Sequence, residues 1–237
     1  MPRKNRELAT PARSRSLATR ETEPRHDRVT ELIVLRHGET AWNAEGRIQG
    51  HLDSPLNEEG LAQALLAADR LARESFSHLY SSDLGRALQT VQPIADRSGR
   101  RVQVDAHLRE RNLGAFQGLT GAQCERRFPD HYAHFRARDP DHVMPGGESA
   151  RHLYDRVSDF FTRLAHEHVG RRVVVVTHGG VLDALYRLAY RLPLDRPRDF
   201  PIYNAGLNVV CWDAGQWQVH RWGDISHLTR DAAQDEF

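Results

Sequence analysis

Leu32-Ile33-Val34-Leu35-Arg36-His37-Gly38-Glu39-Thr40-Ala41-Trp42-Asn43 is the stretch on which the fold turns. Its first four residues form an apolar run with the length and composition of a buried strand. The run delivers Arg36 and His37 side by side, and Gly38 then allows a tight turn. A cation and an imidazole at a strand tip can hold a phosphate, and the imidazole can attack one. The same arrangement returns downstream, where Val173-Val174-Val175-Val176-Thr177 runs into His178-Gly179-Gly180. Two parallel strands that each end in histidine bring both rings to the rim where open α/β sheets bind ligands.

Outward from these strands, the 237 residues, 39% apolar and 27% charged, suit one globular domain with or without a tail. The net charge of +1 is unevenly spread, since residues 1–30 hold eight basic and four acidic side chains. The remainder is slightly acidic, which argues against a nucleic-acid groove. Residues 1–29, with Pro2, Pro11 and Pro24 and no periodicity, read as a disordered basic extension, leaving 30–237 as the folded domain. That extension has no apolar core like a secretory signal, and its acidic residues count against a transit peptide. No apolar run approaches a membrane span, so the expectation is a soluble, cytoplasmic protein without membrane partners. Cys124 and Cys211 lack disulfide or metal spacing.

Strands alternating with helices predict a three-layer α/β/α sandwich around a mostly parallel sheet. A helix is expected from Asn57 to about Arg73, with Leu61, Leu65 and Ala68 on its buried face. Ser82-Asp83 read as the cap of a helix carrying Leu88, Val91 and Ile94. A polar helix is expected over about 120–137, then a Pro/Gly-rich loop over 138–148. Ser149 caps an amphipathic helix bearing Leu153, Val157, Phe160, Phe161 and Leu164. Another helix follows from Val181, and Leu207–Asp213 and Trp217–Trp222 close as a hairpin. Its free edge leaves room for a homodimer.

Singly, none of these residues decides a function, because the chain holds 14 histidines and almost all its positive charge is arginine. The ordered set decides: RHGE, then SSDLGRALQT, then Glu110 ahead of a glycine-aromatic-Gln-Gly stretch, then THGG. Together with RHGET-x-W-N and the QG-x-x-D-x-PLN-x-x-G pattern at Gln49 to Gly60, the chain resembles the histidine phosphatase, or phosphoglycerate mutase-like, superfamily. The resemblance spans Leu32 to Leu228. It implies that His37 attacks phosphorus as a neutral imidazole while Arg36, Arg86 and His178 neutralise the phosphate oxygens. Glu110 would protonate the leaving alkoxide and later accept a proton from water, a task suited to a carboxyl of raised pKa. Asn43, Gln49, Gly50 and Gly179 would line the phosphate, and Trp42 reads as a packing aromatic. Neither cofactor nor metal is required. The pair His131 and His134, three apart on a helix, has no carboxylate or cysteine at ligand spacing and reads as surface.

The same resemblance separates hydrolysis from phosphate transfer within one substrate. Cofactor-dependent mutases continue past the acid glutamate as ERHYG, with a lysine and a paired arginine beyond. This chain has ERNLG, Leu113 in place of the tyrosine, Gly121 near the lysine position and Arg136 and Arg138 separated. The Pro145–Ser149 turn, PGGES, is typical of the phosphatase branch. The expectation is therefore a phosphomonoesterase acting on a small phosphorylated metabolite. A 2,3-bisphosphoglycerate-dependent mutase is the alternative, and a non-catalytic phosphate binder comes after it. Sugar phosphates, phosphoglycerates and ribazole phosphate are the substrates the family suggests, and the segment Asn112 to Glu148 decides among them.

Overall fold

The computed structural model describes residues 28–228. All but the last two residues of the expected disordered extension lie outside them, as do residues 229–237. At the centre stands β1 (Thr30–Arg36), paired in parallel with β4 (Arg172–Thr177), Leu32 opposite Val173 and Arg36 opposite Thr177. On the far side of β4 lie β2 (His78–Ser81) and β3 (Val102–Val104), also parallel. β5 (Leu207–Asp213) pairs antiparallel with β1, and β6 (Gln216–Asp224) pairs antiparallel with β5. The order is β3-β2-β4-β1-β5-β6, a parallel sheet extended by the expected hairpin. Ala214 and Gly215, at φ 48° and 85°, make its tight turn.

Strand alternation sorts the apolar runs to two faces. Leu32, Val34, Val173 and Val175 face a cluster built with α6 (Ala150–Glu167) and α7 (Gly179–Tyr190). Ile33, Leu35, Val174 and Val176 face the cluster of α2 (Glu58–Leu71) and α3 (Gly85–Ser98). All five valines are fully buried, each contributing about 1.5–3 kcal/mol. Burial on both faces explains why these strands read as continuous apolar runs. Among the described residues no helix is long and apolar enough to cross a membrane.

Three local expectations are corrected. On α2, Leu61 and Leu65 are 47% and 46% exposed, and the buried face is Gly60, Ala64, Ala67, Ala68 and Leu71. The helix lies too close to the chain after β1 for leucine: a Cβ on Gly60 would sit 2.0 Å from the Glu39 carbonyl oxygen. α3 begins after Leu84, which makes no side-chain cap, and Asp53 Oδ1 instead accepts from the Arg86 N–H at 3.3 Å. Ser82 and Asp83 are engaged elsewhere, with His178 and Arg109. The helix expected over 120–137 is two, α4 (Gly121–Arg127) and α5 (Pro129–Arg136), parted at Phe128 because Pro129 starts a new first turn. The remaining short helix, α1 (Ala41–Ala44), carries a Thr40/Asn43 capping box.

α4, α5 and the turns around them form a cap with its own core. Phe116, Cys124 and Met144 are buried together, with Leu113, Phe128, Tyr132 and Phe135 packed around them.

Candidate functional site

His37 follows the last residue of β1, and its N–H donates to the Thr177 carbonyl at the end of β4. The two strand-end histidines therefore meet, ring centroids 5.3 Å apart. His37 is 2% exposed. Its Nδ1 lies 2.7 Å from the Gly38 carbonyl, an acceptor, so Nδ1 carries the proton and Nε2 keeps its lone pair. Burial, followed by Arg86 and Arg36, holds the ring's pKa well below the ordinary histidine value. The result is a neutral imidazole with one nitrogen aimed at the site.

Arg86, on the first turn of α3, is fully buried. Its Nε donates to His37 Nε2 at 3.2 Å, Nη2 to the Gly50 carbonyl at 2.7 Å, and Nη1 to Leu52 O and Asp53 Oδ1 at 3.1 and 3.0 Å. One guanidinium thus ties the nucleophile candidate to the loop that would meet a phosphate. Gly50 itself sits at φ 58°, and a Cβ there would collide with Gln117 Oε1 at 2.3 Å. Arg36 donates from Nη1 to the Ile202 carbonyl at 3.2 Å.

Glu110 approaches from a segment fastened to β4, where Thr177 Oγ1 donates to the Leu108 carbonyl at 2.8 Å. Its Oε1 accepts from the Arg111 N–H at 2.6 Å, and Oε2 from the Gly180 N–H at 2.9 Å in the first turn of α7. A helix start favours such a carboxylate. Adding a Cβ to Gly180 would put it 2.2 Å from Glu110 Oε1. Gly180→Ala should therefore displace the carboxylate and lower kcat on an alkyl phosphate about 10- to 100-fold. Unchanged kcat in steady-state assays would count against a role for that position.

These groups converge on a cavity of about 620 Å³ lined by Arg36, His37, Asn43, Gln49, Gly50, Arg86 and Glu110, with Ile48, Leu113, Phe135 and Asn204 among its other walls. Two more open depressions, about 750 and 710 Å³, lie beside the β6 edge and β3 and hold none of the expected site residues. His178 is not on the cavity wall. It stands behind His37, fully buried, with Nε2 2.8 Å from Ser82 Oγ and Nδ1 without a partner among the described residues. Burial, then Arg86, His37 and Arg36, lowers its pKa far below the ordinary value, so without ligand it is neutral. Gly179 lines an adjoining cavity instead. Thr40 and Trp42 lie outside the lining; Trp42 faces Gly118, whose Cβ would be 3.4 Å from its ring.

The sequence profile of the histidine phosphatase superfamily (branch 1) matches residues 32–225. The chain belongs to the histidine phosphatase superfamily. Within that superfamily it is 46% identical over 202 residues to phosphoglycerate mutase-like protein 4 of Arabidopsis thaliana, covering 84% of this chain and 86% of that one. It is 42% identical over 205 residues to the metal-independent phosphoserine phosphatase of the same plant, covering 85% and 84%. Its structure matches a mycobacterial glucosyl-3-phosphoglycerate phosphatase complexed with VO3 at TM-score 0.72 and 34% identity, over 82% of this chain and 98% of that one.

Two features of this histidine phosphatase site escape sequence reasoning. Asn204, from the irregular segment before β5, donates from Nδ2 to the His37 carbonyl at 2.9 Å and lines the cavity. No periodicity or motif marks it. The second is the adjoining cavity of about 530 Å³, which shares Glu110, Leu113 and Phe135 with the first and adds Arg111, Arg136, Arg138 and Arg198. The sequence suggests a poor second handle for an anion because it offers no adjacent arginine pair. The fold gathers four arginines from three segments instead, Arg136 and Arg138 from one and Arg111 and Arg198 from two others. Glu148, in the PGGES turn, accepts from the Asn112 N–H at 2.9 Å and from Arg156 at 2.8 Å, locking the Glu110 segment to α6.

Proposed function

We propose that this protein is a phosphomonoesterase that hydrolyses small phosphorylated metabolites through a phosphohistidine on His37. The observation that carries the reading is the neutral His37 Nε2 facing Arg86 in a cavity whose other wall bears Glu110. A phosphate dianion entering there meets Arg36 and Arg86, which offset its charge and hold it in line. Nε2 forms a bond to phosphorus as the ester P–O bond breaks, and Glu110, which takes up a proton beside the phosphate dianion, gives it to the departing alkoxide. Water then attacks phosphorus, Glu110 takes its proton, and the N–P bond breaks to release inorganic phosphate. The incoming negative charge offsets the Arg86 and Arg36 charges that, after burial, hold the His178 pKa down, and so makes its protonation easier. Asn43, Gln49 and Gly50 contact the phosphate from the loop side. Gln49 Oε1 is buried without a partner among the described residues, which suits it to a protonated phosphate oxygen or the leaving group.

The arginines of the adjoining cavity favour an alcohol that carries an acid group, as phosphoserine and phosphoglycerates do. They also keep a mutase reading in play, as does the phosphoglycerate mutase-like relative. A panel of phosphoserine, phosphoglycerates and sugar phosphates, compared by kcat/KM, tests the proposal. Hydrolysis of one panel member should exceed interconversion of phosphoglycerates with bisphosphorylated primer by about 100-fold or more. Interconversion faster than every hydrolysis would overturn it.

A further inference from the structure

The surface imidazoles His131 and His134 of α5 acquire a partner that their own helix does not supply. After α5 the chain turns back through Arg138, at φ 56°, and lays Asp139 and His142 against them. His134 Nδ1 lies 2.8 Å from Asp139 Oδ2, and His131 Nδ1 lies 2.8 Å from His142 Nε2. The rings of His134 and His142 stack 4.1 Å apart and 1° from parallel. One ligating atom from each of His134, Asp139 and His142 falls within 4.8 Å of the others.

We propose that His134, Asp139 and His142, with His131 beside them, bind a borderline divalent transition cation, Zn²⁺ in the first instance. The donor set selects the metal: imidazole nitrogens with one carboxylate suit Zn²⁺, whereas Mg²⁺ and Ca²⁺ take all-oxygen shells. Tetrahedral ligands at their usual bond lengths lie about 3.3 Å apart. The observed spacing needs a contraction that these partly exposed side chains can make by rotation. The cation replaces hydrogen bonds in which imidazoles must satisfy one another.

The ligands come from two segments, α5 and the 138–148 loop. Phe135 of α5 lines the phosphate cavity, and the His142 carbonyl accepts from Arg111 Nη2 at 3.3 Å, one residue from Glu110. A bound cation fastens the loop to α5 and so steadies the wall of the site without touching the reacting phosphate. The phosphohistidine chemistry does not pass through it.

The test uses the full-length protein without a histidine tag, stripped by chelator and titrated with Co²⁺ by visible absorption and Zn²⁺ by calorimetry. One equivalent should bind with a Kd of about 10 μM or tighter. Binding should weaken about 100-fold in the His134→Ala/His142→Ala double variant, and measurably in Asp139→Asn, while His37→Ala retains it. Melting curves of the stripped proteins check that each variant folds. Absence of saturable binding, binding unchanged in the double variant, or binding lost in His37→Ala overturns the proposal.

Discussion

Replacing His37 by alanine should remove phosphatase turnover, with kcat falling about 10⁴-fold or more on every substrate. A radiolabelled substrate quenched in alkali during turnover leaves label on the native protein and none on the variant. The size follows from the proposed nucleophile having no substitute: the other ring close by, His178, is buried behind His37 and off the cavity wall. The substitution also takes the Nε2 acceptor from Arg86 Nε, so some loss of substrate affinity should accompany the loss of chemistry. The same ring should contribute to the acid limb of the native enzyme. Burial and two guanidiniums lower its pKa, so kcat/KM, corrected for the substrate's own second ionisation at about pH 6, should hold as pH falls through the ordinary histidine range and decline only below it. Hydrolysis by the variant within tenfold of native, or label mapping to another residue, would sink the assignment.

Glu110→Gln should divide substrates by the quality of their leaving group. On an alkyl phosphate such as phosphoserine the alkoxide needs a proton as it departs, and kcat should drop about 10²- to 10⁴-fold. With p-nitrophenyl phosphate the phenolate leaves unaided, so the first turnover should slow about tenfold or less. In the proposed mechanism Glu110 also takes the proton from water, so the phosphoenzyme should then stall. Rapid-quench kinetics should show a burst of nitrophenol followed by a slow steady state. The amide cannot accept both the Arg111 and Gly180 N–H donors that hold the carboxylate, so some misplacement is expected. Misplacement slows both substrates alike, whereas loss of acid–base function separates them. Equal losses without a burst would remove Glu110 from the chemistry.

How much of this was legible depends on what each residue packs against. The valines of β4 and the run Leu32–Leu35 announce a buried parallel pair because both faces of the sheet are covered. The face of α2 misleads for the same physical reason in reverse. Leucines look like the core, but the helix is pulled so near the Glu39 backbone that glycine and alanine fill the contact and the leucines face outward. Ser82 and Asp83 have the right chemistry for a cap, and the fold uses it on His178 and Arg109 instead. His37, Arg86 and Glu110 carry motif neighbours that point to them. Asn204 has none, because its position follows from where β5 enters the sheet beside β1. Arg136 and Arg138 stand two apart in the sequence, but Arg111 and Arg198 come from distant segments, so their meeting with that pair is a property of the fold.

The cap's aromatic nucleus, Phe116 with Cys124, Met144 and their neighbours, is a cluster apart from the two that clothe the sheet. Residues that shape the mouth of the site therefore draw their rigidity from a source other than the one that keeps the strands together. Drift in Leu113, Tyr132 or Phe135 can retune which alcohol is accepted while the imidazole and its guanidinium stay where the strands put them. Selectivity in this chain is free to wander over a fixed reaction.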